Sequence, residues 1–425
     1  MNSIERVNAV KCAAGEGLFG VGMGFVASMT VLPLLLKSLG ASDVEVGLAG
    51  SIGMAGWGML QPVSMLLLGG RRRTKRFLIP WNFSFVVPSY IAMAVVSYVL
   101  ATRQPRLCAV LLLTLFAVRV FGGGALTPFW LDWLTTLFSR NVRGRAIGMM
   151  AGASALGFSL AAYAAGTAQA RLPFPLNYSV LFVISTVFFA VALGVFSLVR
   201  EPDGVGVPAQ ALRPQELFSR FGRSLSDVNF RRYMIGRVLL ALGSGAMAFY
   251  AVHFNSAEGG GLGVDLVFKL GMFLTLPQVA ASYFLGHLGD RAGHKAGVVI
   301  GASAQLASIA VAFLGRGGVA CAVCFALFGV SASAAWVSHQ NFLFETCPHD
   351  SRVAHITLSN MILQPFFFLV PMATGWMMQH LAHRTTGIGL ALIPTLLGVM
   401  WLAFAVREPR GMELSGRHAG MARAA

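Results

Sequence analysis

Gly286-His287-Leu288-Gly289-Asp290-Arg291-Ala292-Gly293-His294-Lys295 is a short charged stretch caught between two long apolar runs. The run before it, Leu270 to Leu285, carries no charge and has Gln278 at its centre, and the run after it extends from Ala296 to Leu314. With their flanks, both approach the roughly 20 mostly apolar residues that a helix needs to cross a bilayer. The stretch therefore reads as a tight hairpin between two membrane-spanning helices. Its glycines let the chain turn and let helix ends approach closely, and Asp290 ends one helix beside cations that can hold or release it.

The composition agrees with a membrane solvent. The chain is 56% hydrophobic and 11% charged, with 49 glycines and 32 phenylalanines, against about 25% charged residues in soluble domains. A formal charge of +16 raises the possibility of nucleic acid, but the basic residues fall in short clusters between apolar runs rather than along one aromatic-laced face. The cysteines Cys12, Cys108, Cys321, Cys324 and Cys347 lie in or beside apolar runs. They indicate neither a disulfide framework nor a metal site, and Cys321-x-x-Cys324 reads as two small apolar residues one helical turn apart. The polar start, Met1 to Lys11, precedes a run too long for a signal peptide and is read as uncleaved.

Twelve candidate spans emerge, at approximately 13–36, 45–69, 77–101, 107–130, 146–169 and 176–199, then 233–254, 265–288, 296–314, 319–344, 353–379 and 386–406. This divides the chain into a bundle over 1–199, a linker with an interfacial helix over 200–232, a second bundle over 233–406 and a polar tail over 407–425. Of the 32 Lys and Arg, six (Lys37, Arg103, Arg106, Arg171, Arg316, Arg384) lie in one set of connections, three (Arg119, Arg237, Lys269) lie within spans, and the remaining 23 lie on the other side. The positive-inside rule makes that richer side cytoplasmic, with both termini there. Weak internal similarity links the halves: Leu60-Gln61-Pro62 with Pro277-Gln278-Val279, and Trp130, Leu137-Phe138 and Arg143-Gly144-Arg145 with Trp336, Leu343-Phe344 and Arg352.

The pattern Gly286-x-x-x-Asp290-Arg291-x-Gly293-x-Lys295 resembles the cytoplasmic signature loop of the major facilitator superfamily, of bacterial type. That resemblance implies an all-α polytopic fold of twelve transmembrane helices in two pseudo-symmetric six-helix bundles. It places the loop between helices eight and nine, as a gate latch formed by Gly286, Gly289, Asp290, Arg291, Gly293 and Lys295. An ordinary basic hairpin would collect similar residues. The first-half loop, Arg71 to Arg76, lacks the Asp. Glu345 to Arg352 is similar to the family's loop between helices ten and eleven, where the two would tie helix ends together, and Asp132 and Arg145 complete the expected cytoplasmic gate as a salt bridge.

Arg119 is the most informative residue of the transport path. It falls near the bilayer midplane, where a charge costs at least about 2.5 kcal/mol and usually faces a cavity. Arg119-Val120-Phe121-Gly122-Gly123 resembles the fourth-helix Arg-x-x-x-Gly motif of proton-coupled exporters, although carbonyls at the glycine-rich Gly122 to Gly124 could also satisfy the charge. In this family helices one, four, seven and ten line the cavity, so Glu16 would share it with Arg119, either as a proton carrier or as a cap near the interface. His253 and His339, at opposite ends of helices seven and ten, and the deeper Gln278, Asn360 and Gln364 are further candidates for the substrate or proton pathway, or for interhelical glue. The fifth-helix antiporter motif is incomplete, since Gly157-Phe158-Ser159-Leu160-Ala161-Ala162 has neither its proline nor its glycine pair.

The expectation is a secondary transporter of a small organic solute, without cofactor or metal, a monomer in the cell membrane and, by the resemblance, a bacterial inner membrane. A proton-coupled antiporter for efflux is preferred, an importer or facilitator of an anionic solute is the alternative, and a non-transporting receptor or assembly component is the alternative of another class. No clustered nucleophile and base, metal-ligand set or phosphate-cradling loop points to an enzyme.

Overall fold

The computed structural model describes residues 3–68, 74–201, 222, 225–346, 352–381 and 383–409. Arg71 to Arg73, most of the 200–232 segment and the tail beyond residue 409 lie outside the described residues. The side chains of Asp290 and Arg352 do so too. Everything described is helix, turn or short connection.

Ten helices among the described residues are long and apolar enough to cross a membrane. They are Lys75–Leu100 (span 3), Pro105–Leu137 (span 4), Arg140–Arg171 (span 5), Leu176–Ser197 (span 6) and, in the second half, spans 7 to 12, which begin at Val228, Val264, His294, Gly317, Arg352 and Arg384. Two further crossings are each made of two helices: Ser3–Phe25 with Val31–Ser38 (span 1), and Asp43–Met59 with Gln61–Leu68 (span 2). The chain is a multi-pass membrane protein, and twelve crossings account for its apolar runs. Span 1 reads as less apolar because Glu5, Arg6, Lys11 and Glu16 all sit on its first helix.

Several spans that read as continuous in sequence are broken. Span 7 runs as Val228–Gly243, a 3-10 turn at Ser244–Phe249, and Tyr250–Asn255. Span 8 runs as Val264–Leu270, a 3-10 turn at Gly271–Leu274, and Leu276–Ala292, where Pro277 has no N–H to continue the preceding ladder. Pro62, two residues past the break at Leu60, does the same in span 2. Span 7 starts at Val228, earlier than its apolar run, because the Asp227 side chain accepts from the Phe230 N–H at 2.8 Å and caps the helix.

Glycine fixes how the first half packs. Gly17, Gly20 and Gly24 put span 1 against the span 5 backbone, and Gly15 and Gly22 put its other face against Phe196 and Phe189 of span 6. A Cβ at Gly22 would stand 2.8 Å from the Phe189 ring, so no larger residue fits that seam without displacement.

An internal repeat caps each half and was not read from the sequence. Val199-Arg200-Glu201-Pro202 after span 6 recurs as Val406-Arg407-Glu408-Pro409 after span 12. In the first copy Asn8 of span 1 exchanges two hydrogen bonds with the Arg200 backbone, at 2.7 and 3.0 Å, while Glu201 accepts from the Lys75 N–H at 2.6 Å and from the Trp133 indole at 2.7 Å. In the second, Asn229 of span 7 exchanges the same pair with Arg407, at 3.0 and 2.9 Å, and Glu408 accepts from the Lys295 N–H at 2.8 Å. Each carboxylate meets a helix N-terminus, where orphan N–H groups and the dipole favour negative charge.

The two halves meet at the end of the bundle away from these caps. Asp43 at the start of span 2 pairs with Lys37 at 2.6 Å and, across the halves, with Arg384 at the start of span 12. Gly47 lies against Pro371, Gly375 against the Asp43 carbonyl, and Gly166 against Asp265 and Lys269. Ser159 and Thr275 join spans 5 and 8 by a hydroxyl contact of 2.8 Å. Toward the other end Gly144, Gly148 and Gly152 of span 5 face open space.

Candidate functional site

Arg119 is 1% exposed and sits at the middle of the 33-residue span 4. Gly56, Gly124 and Val120 bring spans 2 and 4 into backbone contact, and that approach lays the Trp57 indole over the guanidinium. The Arg119 carbon lies 5.0 Å from the Trp57 ring centroid, 5.7 Å from Tyr90 and 5.9 Å from Phe189. Nη2 donates to the Met23 sulfur at 3.4 Å, and Nε has no hydrogen-bond partner. Among the described residues no carboxylate lies within ion-pair distance of it.

The magnitudes leave this cation under-compensated. Each ring contributes about 0.5–2 kcal/mol of cation–π attraction, a thioether is a weak acceptor, and burying an ion costs several kcal/mol. A site of this kind gains most from an anion. The carbonyls of Gly122 to Gly124 do not satisfy the guanidinium; the Gly122 carbonyl instead accepts from the Trp81 indole at 3.0 Å.

Glu16 lies on the same face of span 1 as Met23, seven residues apart, and so two turns or about 10 Å nearer the capped end at 1.5 Å per residue. It is half-buried.

The other path candidates are not gathered there. His339 is held inside the second half: the Tyr233 hydroxyl lies 3.0 Å from its Nδ1 and donates to its carbonyl at 3.1 Å. His253 is 2% exposed near the closed end, with neither ring nitrogen in hydrogen-bonding geometry. Gln278 is in the first turns of Leu276–Ala292, beside Gly329 of span 10. Asn360 and Gln364 line a cavity between spans 2 and 11, and Gln364 packs so closely on Gly58 that a Cβ there would collide with its amide.

The 286–295 stretch joins two spanning helices by a tight turn, but it is helical for most of its length, which corrects the extent of that turn. Span 8 continues to Ala292, and the turn is Gly293 alone, at φ +85, before span 9 starts at His294. Only glycine takes that φ without strain, and a Cβ there would also strike the Glu408 carboxyl. Gly289 is buried against the His294 ring, Gly286 is half-buried, Arg291 is exposed, and the Lys295 N–H bonds Glu408. Glu345 lies 3.8 Å from His294 Nε2. Asp132 is half-buried on span 4 and Arg145 is exposed on span 5.

Three features escaped the sequence reading: the aromatic cage, the Glu201 and Glu408 caps, and the Asp43 pairing at the closed end. Glu258, in the connection after span 7, supports the last of these. It accepts from the Thr385 N–H at 2.8 Å and the Arg384 N–H at 3.3 Å. Burial pushes this carboxyl up, but those hydrogen bonds outweigh it and hold the pKa below the ordinary range.

No protein-family model and no curated protein matches the chain. Solved structures do. A point mutant of the nucleoside transporter NupG superposes with a TM-score of 0.74 at 11% identity, over 93% of this chain and 99% of that one. The likeness is one of fold, the all-α polytopic fold that the resemblance to the major facilitator superfamily implies. A POT family transporter in complex with 5-aminolevulinic acid gives 0.69 at 10% identity, over 93% and 96%. A bacterial homolog of the human lysosomal transporter Spinster, inward-facing and occupied, gives 0.67 at 15%, over 95% and 97%. The described contacts between the halves join spans 2 and 11, and spans 5 and 8.

Proposed function

We propose that this chain is a secondary transporter that moves a small organic anion by alternating access, with Arg119 as the anchor for the solute's negative group. The observation that carries the reading is a fully buried guanidinium, caged by three rings, with an orphaned Nε and, among the described residues, no carboxylate in range. An arginine with a purely structural role would be paired. The fold's two halves rocking about a central site supply the motion. With the capped, lysine- and arginine-rich end in the cytoplasm, as the positive-inside rule orients it, the state described is closed outside and open inside.

Proton coupling is the second reading, and the placement of Glu16 favours it. A carboxylate two turns from Arg119 can take a proton when the anion arrives, because a second negative charge disfavours its ionised form, and give it up when the anion leaves and Arg119 is freed to stabilise it, which links solute and proton stoichiometrically. Direction follows from the gradients, so export and import use one cycle. The incomplete motif at Gly157 gives the efflux preference no further support.

The test is a thermal-shift screen of purified protein against short organic acids, amines and neutral solutes at two pH values, beside Arg119→Gln. A ligand at one hundred times its Kd stabilises by about 2.7 kcal/mol, which a melt resolves. Organic acids should stabilise the parent and not the variant. Stabilisation by amines alone, or equally in both proteins, would refute the anion site.

A further inference from the structure

The guanidinium of Arg119 is closed off from its surroundings, so a solute anion can reach it only after one of the enclosing side chains moves. Those side chains are not equally held. Tyr90 and Phe189 are 2% and 0% exposed and Met23 is half-buried, whereas Trp57 is 37% exposed. Trp57 also has the ring centroid nearest the charge, at 5.0 Å. The indole therefore covers the cation on one side and borders open space on the other, and it has the least packing to lose.

The backbone beneath the ring is anchored. A Cβ at Gly124 would stand 2.3 Å from the Gly56 carbonyl and 2.8 Å from the Trp57 Cα, and one at Gly122 would stand 2.2 Å from the Phe85 ring. The Trp57 carbonyl accepts from the Gln61 side-chain amide at 2.7 Å. Side-chain rotation is thus the movement left to this residue. Between those two close contacts, Gly123 lies under a space. Apart from its own helix, the atoms nearest a Cβ there would be the edge of the indole, at 3.8 Å, and Arg119 Nη1, at 3.9 Å.

Building on the anion site proposed above, we infer that Trp57 is the lid of that site: its ring holds the guanidinium while no solute is bound and turns aside to admit one. Cation–π attraction and an anion compete for the same cation, so the ring keeps a buried charge compensated between transport events. That attraction also sets how rarely the lid stands open. About 0.5–2 kcal/mol corresponds to about 2- to 30-fold in the open population.

The experiment places a cysteine under the ring, where its Cβ fits, as Gly123→Cys with Cys347→Ser; the other four cysteines are buried. Full-length protein in lipid nanodiscs is treated with neutral, anionic and cationic methanethiosulfonates, and modification is timed by mass spectrometry. The neutral reagent tests the lid without reference to the solute's charge. Its rate should rise about 2- to 30-fold on adding Trp57→Ala, or Trp57→Leu should the alanine variant fail to fold. It should rise similarly in Arg119→Gln, which keeps the ring and removes what holds it, and combining the two changes should add little. A neutral-reagent rate indifferent to Trp57 would overturn the inference. A rise on changing Trp57 with none in Arg119→Gln would overturn it too, because the ring would then only fill space. The anionic and cationic reagents test the anion site separately: in Trp57→Ala the anionic one should lead, and lose its lead when Arg119→Gln is added. Equal rates for the two in Trp57→Ala would remove the anion site while leaving a lid over the cation.

Discussion

Replacing Arg384 with Gln should release the closed end of the molecule. Its guanidinium pairs with Asp43 across the two halves, with side-chain exposures of 30% and 9%. A hydrogen bond between charged groups contributes about 1.5–3 kcal/mol, and partial exposure of Arg384 screens this toward the lower part of that range. The loss is not enlarged by a stranded charge, since Asp43 keeps Lys37 at 2.6 Å. A net change of about 1–2 kcal/mol against the closed end shifts the ratio of the two states about 5- to 30-fold, at 1.4 kcal/mol per tenfold. Nitroxides at Gln104 and Arg316, exposed positions in opposite halves at that end, would report it by pulsed electron spin resonance. A Cys347→Ser background suffices, because Cys12, Cys108, Cys321 and Cys324 are buried. The population at longer distance should grow in Arg384→Gln and in Asp43→Asn. Distance distributions unchanged in both variants would refute the latch.

Other outcomes follow from the same contacts. Glu201→Gln and Glu408→Gln each remove a charged acceptor from a helix start, and each should lower unfolding free energy by about 1–2 kcal/mol in detergent melts, with the Glu201 change the larger because the Trp133 indole also loses its acceptor. Glu258 has its pKa depressed in the folded protein, so its contribution is present above the ordinary carboxylate value near 4.3 and is lost as pH falls through the lower folded value. Melts from about pH 6 to about pH 3 should therefore fall more steeply for the parent than for Glu258→Gln. Asp290→Asn should slow turnover of a reconstituted solute without changing the melt, and an unchanged rate would end the gate reading of that residue. Glu16→Gln should abolish the pH dependence of organic-acid flux; flux that stays pH-dependent would move the coupling elsewhere.

The fold was largely legible because lipid imposes a simple rule: uninterrupted apolar runs of helical length must cross. The breaks in spans 7 and 8 were not, because a 3-10 turn such as Ser244–Phe249 uses residues as apolar as those around it. Arg119 stood out as a charge within such a run, whereas its cage did not, since Trp57, Tyr90 and Phe189 come from three spans in a chain with many aromatics. The Asp43 pairing was hidden for a related reason: Lys37 and Arg384 counted only as loop cations, and their shared partner is more than three hundred residues from one of them. The Glu201 and Glu408 caps were readable in principle, because Val-Arg-Glu-Pro occurs after both sixth helices. Being polar and at the edges of apolar runs, these residues were assigned to the linker and tail. The reverse error fell on Gly286 to Ala292, whose charges suggested a turn although helix continues until Gly293 supplies the positive φ.

The most direct test of transport through Arg119 is counterflow in proteoliposomes, using the organic acid that gives the largest Arg119-dependent thermal shift. Vesicles preloaded with unlabelled acid should transiently accumulate the labelled acid above equilibrium with the parent protein and not with Arg119→Gln. Binding without counterflow in the parent would contradict the account and leave a receptor with a transporter's fold.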